Sequence, residues 1–177
     1  MALCLHPDSV CPALAAISGE ILRPQAGLLV LRYELSGDIA ALALPPPCAA
    51  RRADKLWEHT CFEAFLRAPD GAYREFNFAP STEWAAYHFT GYRKGMAPAE
   101  QTPPRIETRR SAATYELQAH LDIGELLLQP RWRLALSAVI EDRNGAKSYW
   151  ALAHPPGKPD FHHGDAFAYE FPGMDET

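Results

Sequence analysis

Cys61-Phe62-Glu63-Ala64-Phe65-Leu66-Arg67, followed after Ala68-Pro69-Asp70-Gly71-Ala72 by Tyr73-Arg74-Glu75-Phe76-Asn77-Phe78-Ala79, reads as a β-hairpin with two unlike faces. Side chains alternate along a strand, and directly paired residues share a face. Phe62, Ala64 and Leu66 therefore join Phe76 and Phe78 on a packed face, while Cys61, Glu63 and Phe65 join Tyr73, Glu75 and Asn77 on a face that is aromatic and polar by turns. Two registers keep these faces matched. One sets Glu63 opposite Glu75, a like-charge pair that costs stability, and the other sets Glu63 opposite Asn77. The second is preferred, and it makes Glu63 and Asn77 a carboxylate–amide pair in the middle of a sheet face, with acceptors and donors for a ligand hydroxyl.

The same punctuation continues in both directions. Short apolar runs are separated by Gly, Pro or Asp, the pattern of an antiparallel all-β sandwich or barrel rather than of alternating strand and helix. About ten strands with little helix are expected, in one domain spanning residues 1–177. Segments 28–35 and 39–44, either side of Ser36-Gly37-Asp38, read as a hairpin, and Pro45 to Pro47 end its pairing. Segment 83–90 adds a third strand to the central hairpin. Segments 106–110, 115–120, 131–141, 147–153 and 166–171 supply the rest, with Arg143-Asn144-Gly145 as a further hairpin turn. A helical turn or two is expected only at 122–128, and 94–104 reads as a long loop.

A chain of 177 residues with net charge −5, whose only dense basic group is Arg109-Arg110 with Arg105 upstream, lacks a phosphate-tracking surface, so no nucleic-acid partner is expected. No apolar stretch is long enough for a spanning helix, and His6, Pro7 and Asp8 interrupt the start where a secretory signal needs an apolar run; no membrane partner and a cytoplasmic location are expected. The cysteines at 4, 11, 48 and 61 show no CxxC spacing and read as free, mostly buried thiols.

Just upstream of the central hairpin stands Leu56-Trp57-Glu58-His59-Thr60. An indole offers a flat apolar face and a half-buried carboxylate offers acceptors, which together suit a ring that is greasy on one side and polar at its rim. The run from Leu56 to Leu66 resembles the Leu-Trp-Glu-x-x-x-x-Glu-x-Phe-Leu signature of DOMON-like domains and family 9 carbohydrate-binding modules, and Tyr73-Arg74-Glu75-Phe76-Asn77-Phe78-Ala79-Pro80 resembles their return strand. The resemblance implies a β-sandwich, of the jelly-roll or immunoglobulin-like kind, that binds sugars or haem. It implies Trp57 as a stacking platform, Glu63 as a hydroxyl anchor and a second aromatic from a late loop. The family's basic residue on the return strand has no counterpart, because Asn77 occupies the matching face and Arg74 points the other way.

The second aromatic is expected from the Pro-rich stretch 153–165, with Phe161 as the wall and Trp150 behind it; prolines preorganise such a loop. Glu75, Tyr87, His88, Tyr92 and Arg93 are further candidates for the pocket. His162 and His163 are adjacent, point apart on an extended chain and read as solvated loop residues rather than as a metal site. With Met96 they form the one axial pair that a haem-binding reading would use, and no CxxCH motif is present. Glu63 and Glu75 lie on one face, whereas glycoside hydrolysis needs carboxyls on either side of the scissile bond. GxSxG, HExxH and phosphate-cradling glycine motifs are absent. The expectation is thus a non-catalytic module without a cofactor that binds a small molecule, a carbohydrate or glycoconjugate, through Trp57, Glu63, Asn77, Phe161, Glu75 and Trp150. A haem module and a protein-interaction domain are the alternatives.

Overall fold

The computed structural model describes residues 1–124 and 132–170. Among them are twelve strands: β1 (Ala2–Leu5), β2 (Leu14–Gln25), β3 (Leu28–Gly37), β4 (Cys61–Arg67), β5 (Tyr73–Phe78), β6 (Trp84–Phe89), β7 (Ala97–Pro98), β8 (Arg105–Arg110), β9 (Thr114–Asp122), β10 (Arg133–Glu141), β11 (Lys147–Ala151) and β12 (Tyr169–Glu170). All strand pairings are antiparallel, and helix is confined to three-residue 3-10 turns at Ile39–Ala41, Leu56–Glu58 and Gly164–Ala166 among the described residues. The all-β expectation holds.

The order β7-β6-β5-β4-β10-β11-β1-β2-β3-β9-β8 is one sheet curled into two layers. The four residues of β1 join the layers, since Ala2 and Leu3 pair with β2 while Cys4 and Leu5 pair with β11. Between the layers lies the main core: Leu29, Leu31, Tyr33 and Leu35 from β3 meet Phe62, Ala64, Leu66, Phe76 and Phe78 from the central hairpin, all buried. These are alternate residues on each strand, as the period of two requires. The Tyr33 hydroxyl crosses this core and donates to the Glu63 carbonyl at 2.7 Å, which ties the backbone beneath the site to the opposite layer.

The central hairpin has the preferred register, with Glu63 opposite Asn77 and Phe65 opposite Glu75. The segment 39–44 is different. Asp38 accepts a hydrogen bond from Ala40 N at 3.1 Å and turns Ile39–Ala41 into a 3-10 turn, leaving Leu42 only a single bridge to Asp142. A local side-chain bond has displaced the strand ladder. Gly37 is needed at this exit, because its φ is +150° and a Cβ there would lie 2.2 Å from the Ala13 carbonyl oxygen. The true partner of β3 is β2, whose Pro24 sits within the register shift between Leu22 and Gln25, where no ladder N–H is required.

The expected loop 94–104 contains the two-residue strand β7, and the expected strand 166–171 is reduced to Tyr169–Glu170. Asp122 ends β9; the rest of the helical turn expected at 122–128 lies largely outside the described residues, as do the ends of the expected strands at 131 and 171. Of the four thiols only Cys61 is buried; Cys11 is half-buried, and Cys4 and Cys48 are exposed.

Candidate functional site

The face of the hairpin that points away from the main core is also buried. A second apolar cluster covers it, formed by Phe65, Tyr73, Ala85, Tyr87, Phe89, Ala135, Val139 and Ala151 from the strands and Phe161, Ala166 and Phe167 from the stretch 153–168. Within this cover remains a cavity of about 390 Å³, lined by Trp57, Glu63, Glu75, Phe89, Arg93 and Phe161 with Met96, Val139, Tyr149, Pro159 and His162.

Strand registers explain the polar floor. Ala151, Ser137, Glu63, Asn77 and Ala85 are successive partners across β11, β10, β4, β5 and β6, so three polar residues lie in one row flanked by alanines. Small residues at both ends keep the row open, and Glu75 stands one step further along β5. All four polar residues are buried, Glu63 at 3 % and Glu75 at 4 % exposure. Asn77 donates to Glu75 Oε1 at 2.8 Å, while Asn77 Oδ1 and Ser137 Oγ have no hydrogen-bond partner among the described residues. Buried polar groups are ordinarily satisfied, and orphaned ones call for an explanation.

The carboxyls are poised unusually. Burial, then the neighbouring Glu75 carboxyl, pushes the Glu63 carboxyl well above its ordinary range. Glu75 is raised to about 7, by burial first, against the opposing pull of the Asn77 amide and the Arg93 guanidinium. Two like charges this close resist double ionisation, so the pair holds a proton near neutrality.

Four elements complete the rim. Trp57 lies on the 3-10 turn Leu56–Glu58, ahead of β4 rather than on it, and is half-buried with its ring edge-on to Tyr87 at 5.8 Å. Tyr87 is fixed in turn by donating to Asp54 Oδ1 at 2.7 Å. Arg93 sits in a tight turn with φ +51°, followed by Gly95 at φ +64°, where a Cβ would come within 2.5 Å of Thr90 Oγ1. Its guanidinium donates to Asp160 Oδ1 at 2.7 Å, linking this turn to the covering stretch. Arg93 N donates to the Tyr73 hydroxyl at 3.2 Å, and that hydroxyl is 2.8 Å from His162 Nδ1. With the Tyr73 hydroxyl donating to Nδ1, the imidazole proton sits on Nε2, 3.8 Å from Glu75 Oε2. Burial, then the Arg93 charge, lowers His162 to about 4, so the ring is neutral at pH 7.

Of the residues expected at the site, Trp57, Glu63, Glu75 and Phe161 line the cavity, and Asn77 is fully buried beside it, bonded to Glu75. Trp150 does not reach it. Its partner on β10 is Ala138, which faces the main core, and its Nε1 donates to Ser148 Oγ at 3.0 Å within that core. The adjacent Tyr149 has the opposite parity and lines the cavity. His162 is a half-buried wall packed among Phe65, Tyr73 and Phe89, not a fully solvated loop residue, while His163 turns outward to accept from Asp165 N. Met96 is half-exposed at the rim. Tyr92 is exposed and donates to Asp160, and His88 is exposed on the other face of β6 beside Arg74. Ser137 escaped the sequence reading; the one polar residue inside Leu134-Ala135-Leu136-Ser137-Ala138-Val139-Ile140 was the available signal.

No family model matches the chain, and no curated protein matches it. Solved structures do. A putative carbohydrate-binding protein from Bacteroides uniformis ATCC 8492 superposes with TM-score 0.58 at 13% identity, over 86% of this chain and 75% of the other. A family 9 carbohydrate-binding module from Caldicellulosiruptor kristjanssonii, solved in complex with cellotriose, superposes with TM-score 0.52 at 8% identity, over 80% and 67%. The chain therefore has a β-sandwich fold like that of a family 9 carbohydrate-binding module.

Proposed function

We propose that this protein is a non-catalytic carbohydrate-binding module whose site is the cavity on the outer face of β4, β5 and β10. The observation that carries the reading is the coincidence of an aromatic rim with buried carboxyls in one cavity: Trp57 and Phe161 line it with Glu63 and Glu75, and the unshared Asn77 Oδ1 and Ser137 Oγ lie on the strands either side of Glu63. A sugar ring presents apolar C–H faces to aromatic walls and hydroxyls to acceptors and donors in the floor, which is the chemistry this lining can satisfy. The sugar-bound module with the same fold supports the reading. Binding rather than turnover is favoured because Glu63 and Glu75 rise from neighbouring strands of one face, and hydrolysis requires carboxyls flanking the scissile bond.

Calorimetric titration with glucose, cellotriose and a panel of other oligosaccharides tests this. Saturable binding is expected, weakened about tenfold or more in Trp57→Ala, in line with the loss of one aromatic platform. Absence of binding across the panel, or equal affinity in the variant, contradicts it. The haem alternative, from the DOMON side of the resemblance, has less support. Met96 and His162 border one cavity, but His162 Nδ1 is held by the Tyr73 hydroxyl at 2.8 Å and its Nε2 faces a carboxyl, Glu75, at 3.8 Å.

A further inference from the structure

We infer that the cavity selects a sugar carrying a free ammonium group, an amino sugar, over the neutral sugar of the same shape, with the ammonium seated on Glu63 and Glu75. This deepens the proposed function and rests on it.

The charge balance of the lining favours a cation. Among the described lining residues the anionic groups are Glu63 and Glu75, and the cation is Arg93. Arg93 is shared: its guanidinium is bonded to Asp160 at 2.7 Å and acts on Glu75 through its charge, with no hydrogen bond to either carboxyl among the described residues. His162 stands 3.8 Å from Glu75 and is kept neutral by burial. The remaining titratable groups packed against the pair, Cys61 on β4, Tyr73 on β5 and Tyr87 on β6, are all held in their neutral forms by burial. No described group therefore supplies the pair with a dedicated positive partner.

Hydrogen bonding favours the same ligand. Beside the carboxyls, Asn77 Oδ1 and Ser137 Oγ are buried and unpartnered among the described residues, and Ser137 and Asn77 are the cross-strand partners of Glu63 on either side. An ammonium is a three-proton donor with no acceptor. The two carboxyls in the lining, with amide and hydroxyl oxygens next to Glu63 on the adjoining strands, form an acceptor-rich group suited to such a donor. A neutral hydroxyl brings a single proton and leaves most of these acceptors unmet.

The walls suit a cation as well. Trp57, Phe89 and Phe161 line the same cavity, and aromatic faces attract a cation as they do a sugar's C–H surface. Desolvation is the usual objection to burying an ion pair. Here the carboxyls are already out of water in the folded protein, so the costs left are to strip the ligand's ammonium of water and to ionise the acid that the pair keeps protonated, both offset by the ion pair formed. The proton that the pair retains near neutrality must then depart as the ammonium enters, and binding of the amine should release protons to the buffer.

Titrations of the wild-type protein with D-glucosamine, D-galactosamine, glucose, galactose and N-acetylglucosamine at pH 6.5, where the amine is protonated and the carboxyl pair still holds its proton, repeated in two buffers of different ionisation enthalpy, test the inference. One of the two amino sugars is expected to bind about tenfold or more tighter than its neutral counterpart and than the N-acetyl form, the value of one charge-assisted hydrogen bond. Its binding enthalpy is expected to depend on the buffer, reporting proton release, while that of the neutral sugar does not. Glu63→Gln should weaken the amino sugar more than the neutral sugar and so erase the preference, and Trp57→Ala should weaken both by a similar factor. Neutral sugars that bind as tightly as the amino sugars, or an amino-sugar preference unchanged by Glu63→Gln, overturn this inference and leave the carbohydrate reading standing. No binding of any sugar overturns both.

Discussion

Glu116 on β9 and Glu63 on β4 both point away from the core between the layers, yet their surroundings are opposite. Glu116 accepts from Arg32 Nε at 2.8 Å, and Glu20 and Glu34 lie within 4 Å of the same guanidinium, on a face open to water. That face carries its acids around a guanidinium and open to water, as an outer sheet face does when it is solvated. On the other layer Glu63 and Glu75 are covered by aromatic rings and by the stretch 153–168, without a cation bonded to either among the described residues. A sheet face that only needed covering would be apolar throughout. Keeping two acids there lowers stability, and such a cost persists where a site needs the groups.

The contrast can be broken most forcefully by removing the buried charges. The double variant Glu63→Gln/Glu75→Gln should be more stable than wild type at pH 8 by about 4 kcal/mol or more, because each tenfold weakening of a carboxyl's acidity on folding costs ~1.4 kcal/mol once the group is ionised and Glu75 alone moves from about 4.3 to about 7. Denaturant midpoints read the difference. If the variant is less stable, the carboxylates serve the fold.

A pH series sharpens the same point. Glu75 is at about 7 when folded, above its unfolded value of about 4.3, so the folded state binds the extra proton and stability should fall as pH rises between these values. His162 at about 4 lies below its unfolded value of about 6.5, so it contributes stability above that value which is lost as pH falls toward 4. Glu63, also raised on folding, adds a second falling slope, so His162 offsets the carboxyls only in part between about 4.5 and 6.5, and wild-type stability should decline gently there and more steeply from about 6.5 to above 7. Replacing the imidazole with phenyl in His162→Phe should expose the Glu75 slope across the whole interval in thermal melts. A level profile in that variant would contradict the shared burial of the two groups.

The smallest effect is expected on the other layer. Arg32→Ala should produce only a slight loss of stability that fades at high salt, and no change in sugar affinity. A large, salt-independent loss would show that the two outer faces are less different than their solvent exposure indicates.

Much of this contrast was legible in the hairpin 61–79. Period-two alternation separated Phe62, Ala64 and Leu66 from Cys61, Glu63 and Phe65, and like-charge repulsion selected the observed register. Parity across more distant strands was not legible. Trp150 and Tyr149 differ by one residue and therefore by one face, and only the long-range pairing of Ala138 with Trp150 decides between them. His162 was misplaced for a similar reason, because a loop sequence does not disclose that it folds back over a sheet. The 3-10 turn at Ile39–Ala41 was missed because a single Asp38 side-chain bond outweighed an apolar run that otherwise reads as a strand. Pro24 concealed β2, since its tolerance there depends on a register shift that appears only on pairing with β3.

The most direct test of the central claim is a chemical-shift map of the isotopically labelled protein titrated with glucosamine and with cellotriose. Perturbations are expected to concentrate at Trp57, Glu63, Glu75, Asn77, Ser137 and Phe161, with Arg32, Glu34 and Glu116 unmoved. Perturbations centred on the Arg32 face, or none at saturating sugar, would contradict a binding site on the outer face of β4, β5 and β10.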